Sequence, residues 1–260
     1  MKILSFGGGV QTVAMALMCI HGDLPMPDCG IFSDPGWETT ATYEYLSWFI
    51  PYCEENGLTI HVVDNGNIRI DALNTEKRWA PIPLFTIDPE GKKGMLMRQC
   101  TNDYKITPVY KKSRELYGLK PYQRTHKAIE LWLGISTDEC SRMKASRNDY
   151  IENKWPLIEN NISRAKCISY IEYKGFPVPP KSACIGCPYH SDRFWQEIKD
   201  NAPEDFKDAC EFDEMVRVNS RKGMKCPMFI HSLRKPLIDI DFTQGQQEMF
   251  KNECEGYCGL

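Results

Sequence analysis

The sequence predicts an α/β fold in which helices flank a parallel sheet, followed by a cysteine-rich C-terminal lobe. Three observations predict it. Short apolar runs alternate with helix-like runs over residues 1–150. Three consecutive glycines, Gly7, Gly8 and Gly9, join the first such pair. After about Tyr150 the alternation gives way to a stretch rich in proline and cysteine. The expected division is a nucleotide-binding domain over 1–150 and a mainly helical lobe over 151–260 packed on it.

The elements follow in order. Residues 2–6, 28–33, 58–63 and 130–135 read as strands, and 10–21, 38–56 and 104–117 as helices between them. Residues 68–79 read as a further helix. Residues 79–94 carry Pro81, Pro83 and Pro89 and read as a long loop, of the kind that often carries function. Residues 174–188 are irregular, and 192–218 are expected as one helix. No internal repeat or low-complexity tract is present.

Composition narrows the classes. Apolar residues make up 42% of the 260, which marks a globular chain with a real core. No apolar run is long enough to cross a bilayer, and the first strand leaves no room for a signal peptide. A cytoplasmic protein without a membrane partner is expected. Twelve cysteines in such a chain point to a metal, a cluster or redox chemistry more than to a disulfide scaffold. Cys19, Cys29, Cys53 and Cys210 stand in apolar or helical contexts and are expected as small core residues. The formal net charge is −3, yet residues 92–147 carry 13 Lys and Arg against 5 Asp and Glu, a local +8. A basic middle in an acidic protein suits an anionic ligand, or a solvated helix face.

The glycine joint has its own chemistry. A strand, a glycine turn and a helix N-terminus together present backbone N–H groups and a favourable dipole to an anion. No Gly-Lys-Ser/Thr follows, so the joint is not a Walker loop, and it is not G-x-G-x-x-G. It resembles the PP-loop, Ser-Gly-Gly-x-Asp-Ser, of ATP pyrophosphatases and sulfonucleotide reductases. Gly7 stands where that pattern has its first Ser, Gln11 where it has Asp, and Thr12 where it has the last Ser. Three further stretches resemble motifs of the 3′-phosphoadenosine 5′-phosphosulfate (PAPS) reductase family in the same order. Ser33-Asp34-Pro35-Gly36-Trp37-Glu38-Thr39 is similar to its Asp-Thr-Gly-x-Glu segment. Arg98-Gln99-Cys100 to Lys105-Ile106-Thr107-Pro108 is similar to its Cys-Cys-x-x-Arg-Lys-x-x-Pro-Leu segment, with one cysteine of the pair. Gly134 to Glu139 and Arg142 is similar to its Gly-x-x-x-x-Glu-Ser-x-x-Arg. Two of these stretches also have local readings: a Pro35–Gly36 turn, and a capping box from Ser136 to Glu139.

The resemblance covers roughly residues 1–187 and implies a Rossmann-like PP-loop fold. It implies an adenine-nucleotide site: ATP, adenosine phosphosulfate (APS) or PAPS, with Mg if a metal assists. Ser5, Gly7, Gly8, Gly9, Gln11, Thr12, Asp34, Arg98, Glu139 and Lys144 are the expected nucleotide-binding residues. Lys105 and Arg142 are expected to stabilise developing charge, and Cys258 to act as a nucleophile. Cys184-Ile185-Gly186-Cys187 is a C-x-x-C which, with Cys100, makes a three-cysteine site for a 4Fe–4S cluster. Zinc is the competitor, with His190 or Cys167 as fourth ligand.

Two enzymatic readings follow. In one, ATP adenylates an oxygen on a nucleobase, in RNA or DNA, and sulfur from a donor, delivered by the 4Fe–4S cluster, displaces AMP. In the other, a sulfonucleotide reductase releases sulfite through Cys258, with a thiol reductant; Glu253 to Cys258 is loosely similar to the Glu-Cys-Gly-x-His end of those enzymes. Cys254 and Cys258 also suit a metal clip or a disulfide, and Cys226 could join them. A third reading is a non-catalytic nucleotide-binding protein with structural zinc. Acceptor and oligomeric state, a homodimer included, stay open.

Overall fold

The computed structural model describes residues 1–76, 80–120, 123–218 and 226–244. The chain opens with β1 (Lys2–Ser5), α1 (Val10–Ile20), β2 (Cys29–Asp34), α2 (Thr40–Glu55) and β3 (Ile60–Asp64). It continues through α3 (Ile68–Leu73), β4 (Phe85–Ile87) and β5 (Lys93–Met95) to a π-helix (Thr101–Ile106) that runs straight into α4 (Thr107–Leu116). Then come β6 (Ile129–Leu133), a 3₁₀ segment (Thr137–Arg142), β7 (Ile151–Lys154), α5 (Pro156–Glu159) and α6 (Arg164–Tyr173). The last third holds α7 (Asp192–Asn201), α8 (Pro203–Val218) and β8 (Met228–Phe229).

The main sheet is parallel throughout, in the order β3-β2-β1-β6-β7. The chain steps outward from β1 through β2 to β3, then crosses to the other side of β1 for β6. The strand order therefore reverses between β1 and β6, and in open α/β sheets ligands collect in the crevice at such a point, beyond the carboxyl ends of the strands. One core lies where α1, α2 and α6 cover the sheet. Phe6, Phe32, Leu46, Phe49 and Leu157 meet there, with Phe6 stacked on Phe49 at 5.9 Å. Val109 of α4 joins Ile3, Ile31, Leu131 and Ile151 in a second core on the opposite face. A third cluster gathers Trp37, Trp195, Phe212, Ile230 and Phe242 beneath the C-terminal helices.

The α/β fold with its helix-flanked parallel sheet is as the sequence predicts, and four local expectations are corrected. The expected boundary at 150 is crossed, because β7 pairs with β6 as the outer strand of the sheet. The helix expected over 68–79 ends at Leu73, with Asn74 extended. Residues 79–94 include β4, which pairs with β5 and β8 in a small antiparallel sheet. The single helix expected over 192–218 is two: Pro203 disfavours a helical conformation at Ala202, which adopts φ −140°, ψ 65°. Cys19, Cys29 and Cys53 are core residues as expected, and burial pushes the Cys19 and Cys53 thiols up to about 12. No helix among the described residues is long and apolar enough to cross a membrane.

Candidate functional site

The three glycines lie at the carboxyl end of β1, where the strand order reverses. Gly8 has φ +71°, a region that costs an L side chain strain, and a Cβ there would also stand 3.2 Å from Leu46 Cδ2. Gly9 is the N-cap of α1 and offers no side-chain cap, and the first turn of α1 carries no acid. Thr12 ties the loop to itself: its Oγ1 donates to Gly9 O (3.1 Å) and accepts from Gly7 N (3.3 Å). Gly134, at the end of β6, lets that strand approach closely, since a Cβ on it would stand 2.6 Å from Thr12 Cγ2.

A cleft opens above the loop. Gly7, Gly9, Gln11 and Thr12 form its floor, and Arg164, Lys181 and Ser182 form its wall. The last three are missed by local sequence reading. They come from α6 and the 177–183 stretch, and the packing of α6 on α1 carries them in. Among the expected nucleotide-binding residues, Ser5 is buried at the end of β1.

Two buried carboxylates flank this loop. Glu38, 2% exposed, receives Lys105 Nζ at 3.0 Å, Ser182 Oγ at 3.4 Å and the Cys184 thiol at 3.9 Å. Ser182 Oγ lies 2.8 Å from Gly7 O, so Glu38 links the glycine loop to Lys105 and the C-x-x-C. The Pro35–Gly36 turn aims Glu38. Asp34 Oδ1 accepts from Gly36 N and from the Tyr43 hydroxyl, each at 2.7 Å, and Tyr43 Oη in turn accepts from Glu38 N at 3.2 Å. Asp34, expected to bind nucleotide, thus works through this turn.

Glu139 is the second carboxylate. It forms no capping box, because Ser136 makes no side-chain cap bond and Glu139 leaves the helical region at φ −121°, ψ 22°. Its Oε1 instead pairs with Arg142 at 2.5 Å, both side chains being 7% exposed. Its Oε2 accepts from Gln11 Nε2 (3.3 Å), whose Oε1 accepts from Arg164 (3.1 Å). The expected residues Gln11, Glu139 and Arg142 therefore join one buried network.

Arg98 and Lys144 are placed elsewhere. Both line a second cleft that shares no lining residue with the glycine-loop cleft.

The cysteines separate into groups. Glu38 and Cys184 form a β-bridge, with Thr39 N donating to Ala183 O and Ile185 N to Trp37 O. The Cys184–Cys187 turn is built under Trp37: a Cβ on Gly186 would stand 2.1 Å from the indole. His190, expected as a zinc ligand, points its Nε2 at the carbonyls of Cys184 (2.9 Å) and Ile185 (3.2 Å). Burial pushes its pKa down to about 3, so the ring is neutral and donates from Nε2. Cys167, the other candidate zinc ligand, is fully buried in α6 within the α1 core, with its thiol pushed up to about 12. Desolvation there opposes the thiolate a metal needs. Among the described residues no group of three or more His, Cys, Asp or Glu side chains could hold a metal ion. Cys100, Cys184 and Cys187 are thus not gathered as a ligand set, and the residues described do not fit a cluster by themselves. Cys254 and Cys258 lie outside the described residues.

The π-helix after Cys100 places Lys105. Cys100 is its N-cap, and Lys105 in its last turn reaches Glu38. No family model matches the chain, and no curated protein matches it.

Proposed function

We propose that this chain is a PP-loop-type adenine-nucleotide enzyme of sulfur metabolism, in which the phosphates of ATP lie on Gly7–Thr12. One observation carries the reading: the glycine loop and the N-terminus of α1 stand at the strand-order reversal, beneath Arg164 and Lys181. Anionic phosphates gain from the helix dipole, the loop N–H groups and the two cations together. Attack by an acceptor oxygen on the α-phosphate then releases pyrophosphate, and the same donors neutralise the charge that develops on it. Adenylation turns a poor leaving oxygen into AMP. Arg142 and Lys105 are held by Glu139 and Glu38 and keep positive charge along both flanks of the loop.

Sulfur then displaces AMP. Cys184 is the thiol that Glu38 and Ser182 bring beside the loop. Glu38 is placed to accept its proton. The thiolate takes the outer sulfur of an external persulfide donor, whose thiolate leaves. The resulting Cys184 persulfide displaces AMP, and an external thiol cleaves the disulfide so formed to release the thiolated acceptor. No step is routed through an iron–sulfur cluster. The same thiol supports a second reading: attack on the sulfur of APS or PAPS expels the nucleotide phosphate and leaves a thiosulfonate on Cys184, from which a second, external thiol frees sulfite as a disulfide forms.

Calorimetric titration of the full chain with ATP tests the nucleotide site. Lys181→Glu and Gly8→Val should each weaken binding about tenfold or more. Binding equal to wild type in both variants would overturn the proposal. Pyrophosphate release from ATP identifies the transferase, and sulfite release from APS or PAPS the reductase.

A further inference from the structure

The second cleft lies across the sheet from α1, between α4, the 144–148 loop and β7, and has a volume of about 680 Å³. That falls within the ~300–1,000 Å³ of small-molecule sites and would leave a bare phosphate loosely held. Three cations line it, Arg98, Lys144 and Arg147, with no acid among the lining residues. Tyr110 of α4 supplies an aromatic surface.

Its polar groups are specific. Asn153, on β7, is only 7% exposed. Its Nδ2 donates to Lys144 O at 2.9 Å, which pins the 144–148 loop against the strand. Its Oδ1 is buried and has no hydrogen-bond partner, and neither has the buried Oγ1 of Thr101 on the same cleft. An unpartnered buried carbonyl costs free energy unless a donor reaches it. An anion alone accounts poorly for the set, because a phosphate brings no donor to Asn153. A ligand that carries anionic oxygens at one end and an N–H at the other satisfies both.

We propose that this cleft binds a nucleoside 5′-phosphate unit, with the phosphate on Arg98, Lys144 and Arg147 and the base against Tyr110, its amino group donating to Asn153 Oδ1. Asn153 has only its acceptor free, so it selects bases with an exocyclic amine, as carboxylates select cytosine N4. The unit has two sources, a free mononucleotide or one residue of a nucleic-acid strand. The inference stands apart from the glycine loop.

Titration with cytidine 5′-monophosphate and with a short oligocytidylate tests it, since cytosine avoids competition with an adenine site. Arg147→Glu should weaken binding of the probe about tenfold or more, and Asn153→Ala about tenfold. With the second cleft saturated by cytidine 5′-monophosphate, Arg147→Glu should leave ATP binding at the glycine loop within about twofold, since Arg147 lies outside that cleft. Gly8→Val should do the reverse. An oligonucleotide bound at least about tenfold tighter than the mononucleotide assigns the strand as the source, and equal affinities assign the free nucleotide. No binding of either probe, or binding unaffected by both Arg147→Glu and Asn153→Ala, overturns the proposal while leaving the ATP result to judge the glycine loop separately.

Discussion

The two flanks of the glycine loop are built on the same device and finished differently. Each buries a carboxylate against one cation, Glu38 with Lys105 and Glu139 with Arg142. On the Glu139 flank planar, directional groups meet: a guanidinium, the Gln11 amide and, beyond it, Arg164. On the Glu38 flank the partners are an ammonium, a hydroxyl and a thiol, each able to rotate towards something else. One flank therefore fixes Gln11 and the start of α1, and the other can rearrange when a ligand arrives. Charge burial is shared by both, so the difference lies in how far the geometry is committed in advance.

The comparison can be broken by experiment. The largest effect is expected from Glu139→Ala, which takes the carboxylate from Arg142 at 7% exposure and should cost about 4 kcal/mol in denaturant unfolding. Glu38→Ala should cost about 3 kcal/mol, because Lys105 is 16% exposed and can reach water. Equal losses would mean that the flanks do not differ in rigidity. Gly186→Ala should come next, at about 2 kcal/mol, since its methyl enters the Trp37 ring and must displace the Cys184–Cys187 turn from the adaptable flank. A wild-type midpoint there would show that the turn yields freely. Ser182→Ala should cost about 1 kcal/mol, the worth of its bond to Gly7 O, and should raise the Kd for ATP more than it lowers stability.

A further effect is one of pH, and its size depends on how far the pH is lowered. His190 is neutral in the fold with its pKa down at about 3, against 6.5 for an ordinary histidine. Between those values the unfolded chain binds the extra proton, so stability falls as pH drops from 6.5 towards 3 and is fully present above 6.5. The loss should approach about 1.4 kcal/mol per pH unit. His190→Gln should flatten that share of the slope between pH 6.5 and 5. An unchanged slope would place the missing proton on another group.

The parts that sequence periodicity shows are those whose local and global demands agree. β1, the glycine joint and α1 carry their pattern in adjacent residues, as do β2 and β6 with their continuous apolar runs. β7 escapes detection because Ile151-Glu152-Asn153-Lys154 is short, polar and an outer strand, and alternates only over four residues. Arg164, Lys181 and Ser182 reach the cleft through the docking of α6, which leaves no trace in neighbouring residues. The Ser136–Glu139 spacing satisfies a capping rule, yet the carboxylate goes to Arg142 and Gln11, where burial makes the pairing worth more. Helical periodicity over 192–218 likewise continues through Ala202, and only Pro203 marks the break.

The wide turn at Thr101–Ile106 also sets a reading frame inside a helix. A π-turn holds one residue more than an α-turn, so deleting a single residue between Cys100 and Lys105 would let the segment rewind. An α-turn closes the same circle with one residue fewer, so the rewound segment would keep the residues on either side of it in register around the helix axis, with Lys105 still directed at Glu38. A one-residue deletion would here be taken up by the winding of the helix itself, a change of pitch that leaves the sheet and the Lys105–Glu38 pair in place.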